Sequence, residues 1–128
     1  MRRLTALAAA AVTIVALALV QAGAAGPGAS LGNFFFGPKL VRAEVVTSEA
    51  GAIHDYRVDR GRIRAIARAT MSLTLLERDG TLVTVQVSPS ASITLGGAAV
   101  PFTRLRRGFT ATTVRDGTAA VSIVQATR

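Results

Sequence analysis

The chain has no cysteine and no tryptophan, and only one tyrosine, one histidine and one lysine in 128 residues. Without thiols there can be no disulfide framework, no cysteine-ligated zinc site and no lipid attached through an N-terminal cysteine. A single histidine, His54, cannot assemble the usual zinc ligand set either, so neither a metal nor a cofactor is expected. No G-x-S-x-G, H-E-x-x-H or phosphate-loop pattern occurs, which removes the common signatures of hydrolases, metalloproteases and nucleotide-binding enzymes. Acidic residues are scarce: seven Asp and Glu face fifteen Lys and Arg, and the formal net charge is +8.

Half of the residues are hydrophobic, but they are not evenly spread. Leu4 to Val20 is apolar at every position except Thr5 and Thr13, behind a positive Met1-Arg2-Arg3 start. Ala22-Gly23-Ala24 is a small-x-small site of the kind signal peptidase accepts. Residues 1–24 therefore read as a secretory signal peptide forming a signal helix, with cleavage after Ala24 or Ala25. An uncleaved anchor through residues 4–20 is the competing reading, although the stretch is shorter than the ~20 apolar residues that span a bilayer. Either reading places the remainder outside the cytoplasm, secreted or tethered at the cell envelope.

Residues 25–38 hold four Gly and two Pro, a linker composition with no strand or helix period. Within them Phe34, Phe35 and Phe36 are three of the five phenylalanines of the protein. These rings either plug an open end of the following domain or form an exposed aromatic patch that meets a membrane or a partner.

From residue 39 to 128 the apolar period is two and turn signals recur, so the sequence predicts an all-β domain. Asp79-Gly80 and Asp116-Gly117 lie between alternating segments, the strongest short hairpin signal, and each sits in the tetrad Arg-Asp-Gly-Thr. Closing such strands removes exposed sheet edges. The expected architecture is a small antiparallel β-barrel of six to eight short strands built from hairpins. Arg62 to Arg68 reads as one separate short strand, with Ile63, Ala65 and Ala67 on one face and Arg62, Arg64, Ile66 and Arg68 on the other. Pro101 to Arg107 predicts a single helical or 3₁₀ turn, with Thr103 as its N-cap. The core candidates are Val45, Tyr56, Val58, Ile63, Leu73, Leu75, Val83, Val85, Val87, Ile93, Leu95, Leu105, Val121 and Ile123.

The order of pieces carries a resemblance. Gly61-Arg62-Ile63 opens a strand, Ser72-Leu73-Thr74-Leu75 begins the next, and Asp79-Gly80, Val83 to Val87, Ile93-Thr94-Leu95 and Gly96-Gly97 follow in turn. Leu105-Arg106-Arg107-Gly108 then leads to the second Asp-Gly turn and a last Ala/Val-rich strand. From Gly61 to Val124 this resembles the bacterial family labelled domain of unknown function 5666, small secreted β-barrels with an oligonucleotide-binding-like topology. The resemblance implies a fold and brings no catalytic residues.

Arginine is the informative side chain, since fourteen of the fifteen basic residues are Arg. Arg62, Arg64 and Arg68 form the expected row, and Arg106 and Arg107 add a second pair. Guanidinium binds phosphate and carboxylate bidentately, so this face suits an anionic envelope polymer or lipid headgroups. A solvated, partly ion-paired surface is the plain reading of the same residues. The lack of a base-stacking platform argues against nucleic acid. The leading expectation is a non-enzymatic exported domain that binds an anionic envelope component or assembles at the surface. A structural module docking on a protein partner is the alternative, and a hydrolase using His54 is the third. His54 and Asp55, adjacent in a strand, point to opposite faces and cannot form a dyad with each other.

Overall fold

A computed structural model describes residues 37–128; the leader, for which a signal helix is expected, and Phe34, Phe35 and Phe36 lie outside the described residues. The chain divides into two units, Met1–Leu40 and Val41–Arg128. Of the first, residues 37–40 form a turn in which the Leu40 N–H donates to the Gly37 carbonyl at 3.2 Å. The second is all-β. Its strands are β1 (Arg42–Glu49), β2 (Ala52–Ala67), β3 (Ser72–Glu77), β4 (Leu82–Leu95), β5 (Ala98–Ala99), β6 (Thr110–Asp116) and β7 (Val121–Thr127), with a 3₁₀ turn at Phe102–Arg104.

The strands form one sheet in the order β1-β2-β3-β4-β7-β6, β5 pairs with β4, and β6 also pairs with β2. Pairing thus runs from β2 through β3, β4, β7 and β6 back to β2. The sheet is mixed rather than antiparallel, because β4 and β7 run parallel. The reason lies in β6, which pairs with β2 on one side and antiparallel to β7 on the other. That arrangement leaves β7 to meet β4 in the same direction.

The expectation of short strands is corrected as well, since β2 has 16 residues and β4 has 14. Asp59-Arg60-Gly61 looks like a break between two strands, yet the chain runs straight through it. Gly61 pairs with Glu77 of β3 and with Ala111 of β6. Upstream, β1 occupies β2 from Ala52 to Asp59, and β3 takes over from Gly61 to Ala67. β1 and β3 therefore share one edge of β2 end to end, and β6 takes the other edge. The crowding at this junction explains the glycine: a Cβ on Gly61 would stand 2.6 Å from the Leu76 carbonyl oxygen.

In β4, Pro89 is tolerated because its stretch has no ladder partner. The register with β7 jumps from Val87↔Val121 to Ser92↔Ile123, and a proline is at home where no N–H is required.

Ile63, Leu73, Leu75, Leu105, Val121 and Val124 are almost fully buried and form the centre of the core with Val85 and Val87. Val45, Val83 and Ile123 are only half-buried, contrary to expectation, while Val124 is fully buried. The phase along β7 shifts next to the irregular stretch of β4, so the inward positions are Val121 and then Val124. Phe102 and Leu105 insert into the same core, where burying each side chain is worth roughly 1.5–3 kcal/mol. Thr103 lies within the 3₁₀ turn, whose N-cap is Pro101 without a side-chain cap bond, so the expected cap is also corrected.

Gly61→Ala should destabilise the domain by about 2–3 kcal/mol, because the clashing atoms are backbone and cannot rotate away. Urea unfolding of the two proteins measures this; an unchanged midpoint would show that the junction can spread without cost.

Candidate functional site

The basic site is assembled by two segments that the core holds together. Along β2, Arg62 and Arg64 flank the buried Ile63 and are themselves exposed. Facing them runs the 3₁₀ turn with the residues that follow it, where Phe102 and Leu105 are buried and Arg104, Arg106 and Arg107 are exposed. Two backbone bonds clamp the segments: the Ile63 N–H donates to the Phe109 carbonyl at 2.7 Å, and the Gly108 N–H to the Ile63 carbonyl at 2.9 Å. Gly108 has φ of 90°, a conformation that suits glycine in this sharp return. Between the segments lies an open groove of about 410 Å³ lined by Arg62, Ile63, Arg64, Arg107 and Gly108.

Three of the five expected arginines, Arg62, Arg64 and Arg107, thus line one groove, and Arg68 and Arg106 do not. The expected row of Arg62, Arg64 and Arg68 on one strand face is corrected. The register of β2 against β3 shifts between Ile63 and Ala65, leaving Arg64 as the extra residue of a bulge. Beyond the bulge the faces exchange, so Ile66, expected beside the arginines, packs against the core instead. Arg68 falls past the end of β2, and its Nη2 donates to the Leu105 carbonyl at 3.2 Å.

Electrostatics separate this region from the rest. All seven carboxylates of the protein lie within the described residues. Glu77 and Asp79 bind Arg42, Glu44 and Asp55 bind Arg57, Asp59 stands 4.0 Å from Arg115, and Asp116 binds His54. Among the described residues no carboxylate pairs with Arg62, Arg64, Arg68, Arg104, Arg106 or Arg107. Arg60 is outside this free set in another way, since its Nη1 donates to Thr112 Oγ1 at 3.0 Å.

Sequence reasoning passed over two further polar clusters. At the β1–β3 junction, Arg42 binds Glu77 and Asp79 and donates to Thr81 Oγ1, so it stitches the start of β1 to the end of β3. Asp59 and Glu77 are both buried there. Asp59 Oδ2 and Glu77 Oε1 have no hydrogen-bond partner among the described residues. Burial pushes the Glu77 carboxyl above its ordinary range, the neighbouring Asp59 adds to this, and Arg42 opposes it. The placement was legible: Glu77 follows Leu73 and Leu75 at period two, and Asp59 precedes Gly61 and Ile63 in the same way. What the sequence did not supply was their meeting across strands.

The second cluster joins β2 to β6. His54 Nδ1 is 2.6 Å from Asp116 Oδ2, and the Asp55 N–H donates to Asp116 Oδ1 at 3.1 Å. The hydrogen bond from His54 is the main cause that holds the Asp116 carboxyl below its ordinary range. An ionised carboxylate only accepts, so Nδ1 carries the proton. The imidazole ring stacks on Tyr56 at 5.6 Å. The partner of His54 is therefore Asp116, across the β2–β6 pair. The pair resembles the base-and-orienter half of a triad, but among the described residues no hydroxyl is hydrogen-bonded to the ring. The twin tetrads do different work: Asp79 accepts the Thr81 N–H within its own turn, whereas Asp116 reaches across to β2.

Glu77→Gln keeps the shape, removes the charge and offers an amide donor to Asp59. In the native protein the raised Glu77 value means that stability falls as pH rises from about 4.5 through that value. The variant lacks this loss, so its stability relative to the native protein should improve as pH rises from about 4 to about 8. Denaturation midpoints across that range provide the check, and a parallel pH profile for the two proteins would refute the raised Glu77 carboxyl.

Compared with protein-family models, curated proteins and solved structures, the chain matches none of them.

Proposed function

We propose that this chain is an exported, non-enzymatic domain that binds an anionic component of the cell envelope through the groove of Arg62, Arg64 and Arg107. The observation that carries this reading is the division of charge. Six of the seven carboxylates are engaged by Arg42, Arg57, Arg115 and His54, and none reaches the groove. A guanidinium without a carboxylate retains its full capacity for bidentate binding of phosphate or carboxylate ligands. The leader supports export, because its charged start, apolar stretch and small-residue site match the pattern of a secreted chain.

The finer architecture belongs to the same proposal. We read the ring of pairings, with β1 as an added strand, as a five-stranded barrel of oligonucleotide-binding-like order. The long shared strand β2 and the parallel β4–β7 pair support it. This is the order implied by the resemblance to the domain of unknown function 5666, and membership of that family is part of the proposal.

A second reading rests on its own observation. The hairpin of β1 and β2 extends past the last residue paired with β6 and exposes Val46 and Ile53, 62% and 70% accessible. Among the described residues β1 pairs only with β2, so its other edge is open to strand addition by a protein partner.

Retention of the full-length protein on isolated cell envelopes, measured across a salt series, separates the two. Anion binding predicts retention that weakens as salt rises and falls about tenfold or more in R62S/R64S/R107S. Retention indifferent to salt and to that variant, but lost in V46S/I53S, would replace the groove with the hairpin.

A further inference from the structure

Resting on the anion-binding reading of the groove, we infer that its ligand is a linear polymer with a phosphate on every repeat, held by Arg62, Arg64, Arg68, Arg104, Arg106 and Arg107 together. Three observations point past a compact anion. First, the groove is open, and its arginines are surface side chains. Second, the backbone offers little to a single phosphate. The N–H groups of Ile63, Arg104, Leu105, Gly108 and Phe109 all donate to carbonyls within the chain, so they cannot converge on an oxyanion as a phosphate-binding loop does. A lone phosphate would meet only the guanidiniums of exposed side chains.

Third, the cations continue beyond the groove. The two segments are joined at one end by the Ile63 bonds to Gly108 and Phe109, and further along by the Arg68 bond to the Leu105 carbonyl. Arg104 and Arg106 flank Leu105, so the unpaired cations extend from the groove to the end of β2. A chain with a charge on each repeat can satisfy such a track one contact at a time and release a counterion at each. Among the described residues no exposed aromatic platform accompanies the arginines: Phe109 packs against the core, and Tyr56 is buried against His54. Recognition therefore falls on the phosphate backbone and not on a stacked base.

The test uses the full-length chain, long-chain polyphosphate, orthophosphate and a salt series. Polyphosphate should bind with a logarithmic salt slope of about −4 to −5, as six released counterions require, and orthophosphate should not compete. R68S/R104S/R106S should weaken polyphosphate binding by about tenfold or more and halve the slope to about −2 to −3. R104S/R106S, which leaves the Arg68 bond to Leu105 intact, should move both readings in the same direction. Orthophosphate competing as well as the polymer, or outer variants that bind normally, would overturn the polymer and leave the groove reading standing. Failure of every anion to bind the native protein would end both. Preference for polygalacturonate over polyphosphate of equal charge would overturn the phosphate-polymer class in favour of carboxylate or sugar recognition, and preference for oligothymidylate would overturn recognition through the phosphate backbone in favour of the base.

Discussion

One strand organises this domain. β2 carries β1 and β3 in series along one edge and β6 along the other, and the exchange from β1 to β3 takes place beside Gly61. Only a residue without a side chain allows the backbone of β3 to come so close. Around this point the buried Asp59 and Glu77 and the bridging Arg42 lock three strands to one another. The return of pairing from β6 to β2 depends on the same junction, since β6 meets Gly61 from the other edge.

That junction also decides where charge goes. The carboxylates gather on β1, on the first half of β2, at the end of β3 with its turn, and at the end of β6, where they bind Arg42, Arg57, Arg115 and His54. Past Gly61 the charged residues of β2 are all arginines, and the 3₁₀ turn with the residues that follow it contributes three more. Screening acts within about 8 Å at physiological salt, so exposed cations without a local carboxylate keep their own field. Packing enforces the grouping: with Phe102 and Leu105 anchored in the core, the arginines around Leu105 can only face outward.

Period two made the all-β class, most of the core and both Asp-Gly turns readable. It failed at particular places, and for one physical reason. An extra residue at Arg64 resets the alternation along β2, and the irregular stretch around Pro89 shifts the phase of the neighbouring β7 while Ile93 and Leu95 stay inward on β4. Ile66 and Val124 moved inward and Ile123 moved outward on that account. The arginine row lost Arg68 in the same way, while Arg107 joined Arg62 and Arg64 from a segment more than forty positions away.

By itself, the sequence determined the absence of thiol chemistry, the apolar leader, the strand-forming alternation and the excess of arginine over carboxylate. Each depends on composition or on neighbours a few residues apart, which local chemistry reads directly. The tertiary structure alone decided which cations are neutralised and which remain free. It also decided that His54 meets Asp116, and that Asp59 and Glu77 are buried at one junction. These outcomes rest on register between strands distant in sequence, and a one-residue bulge changes register without leaving a mark in the local pattern.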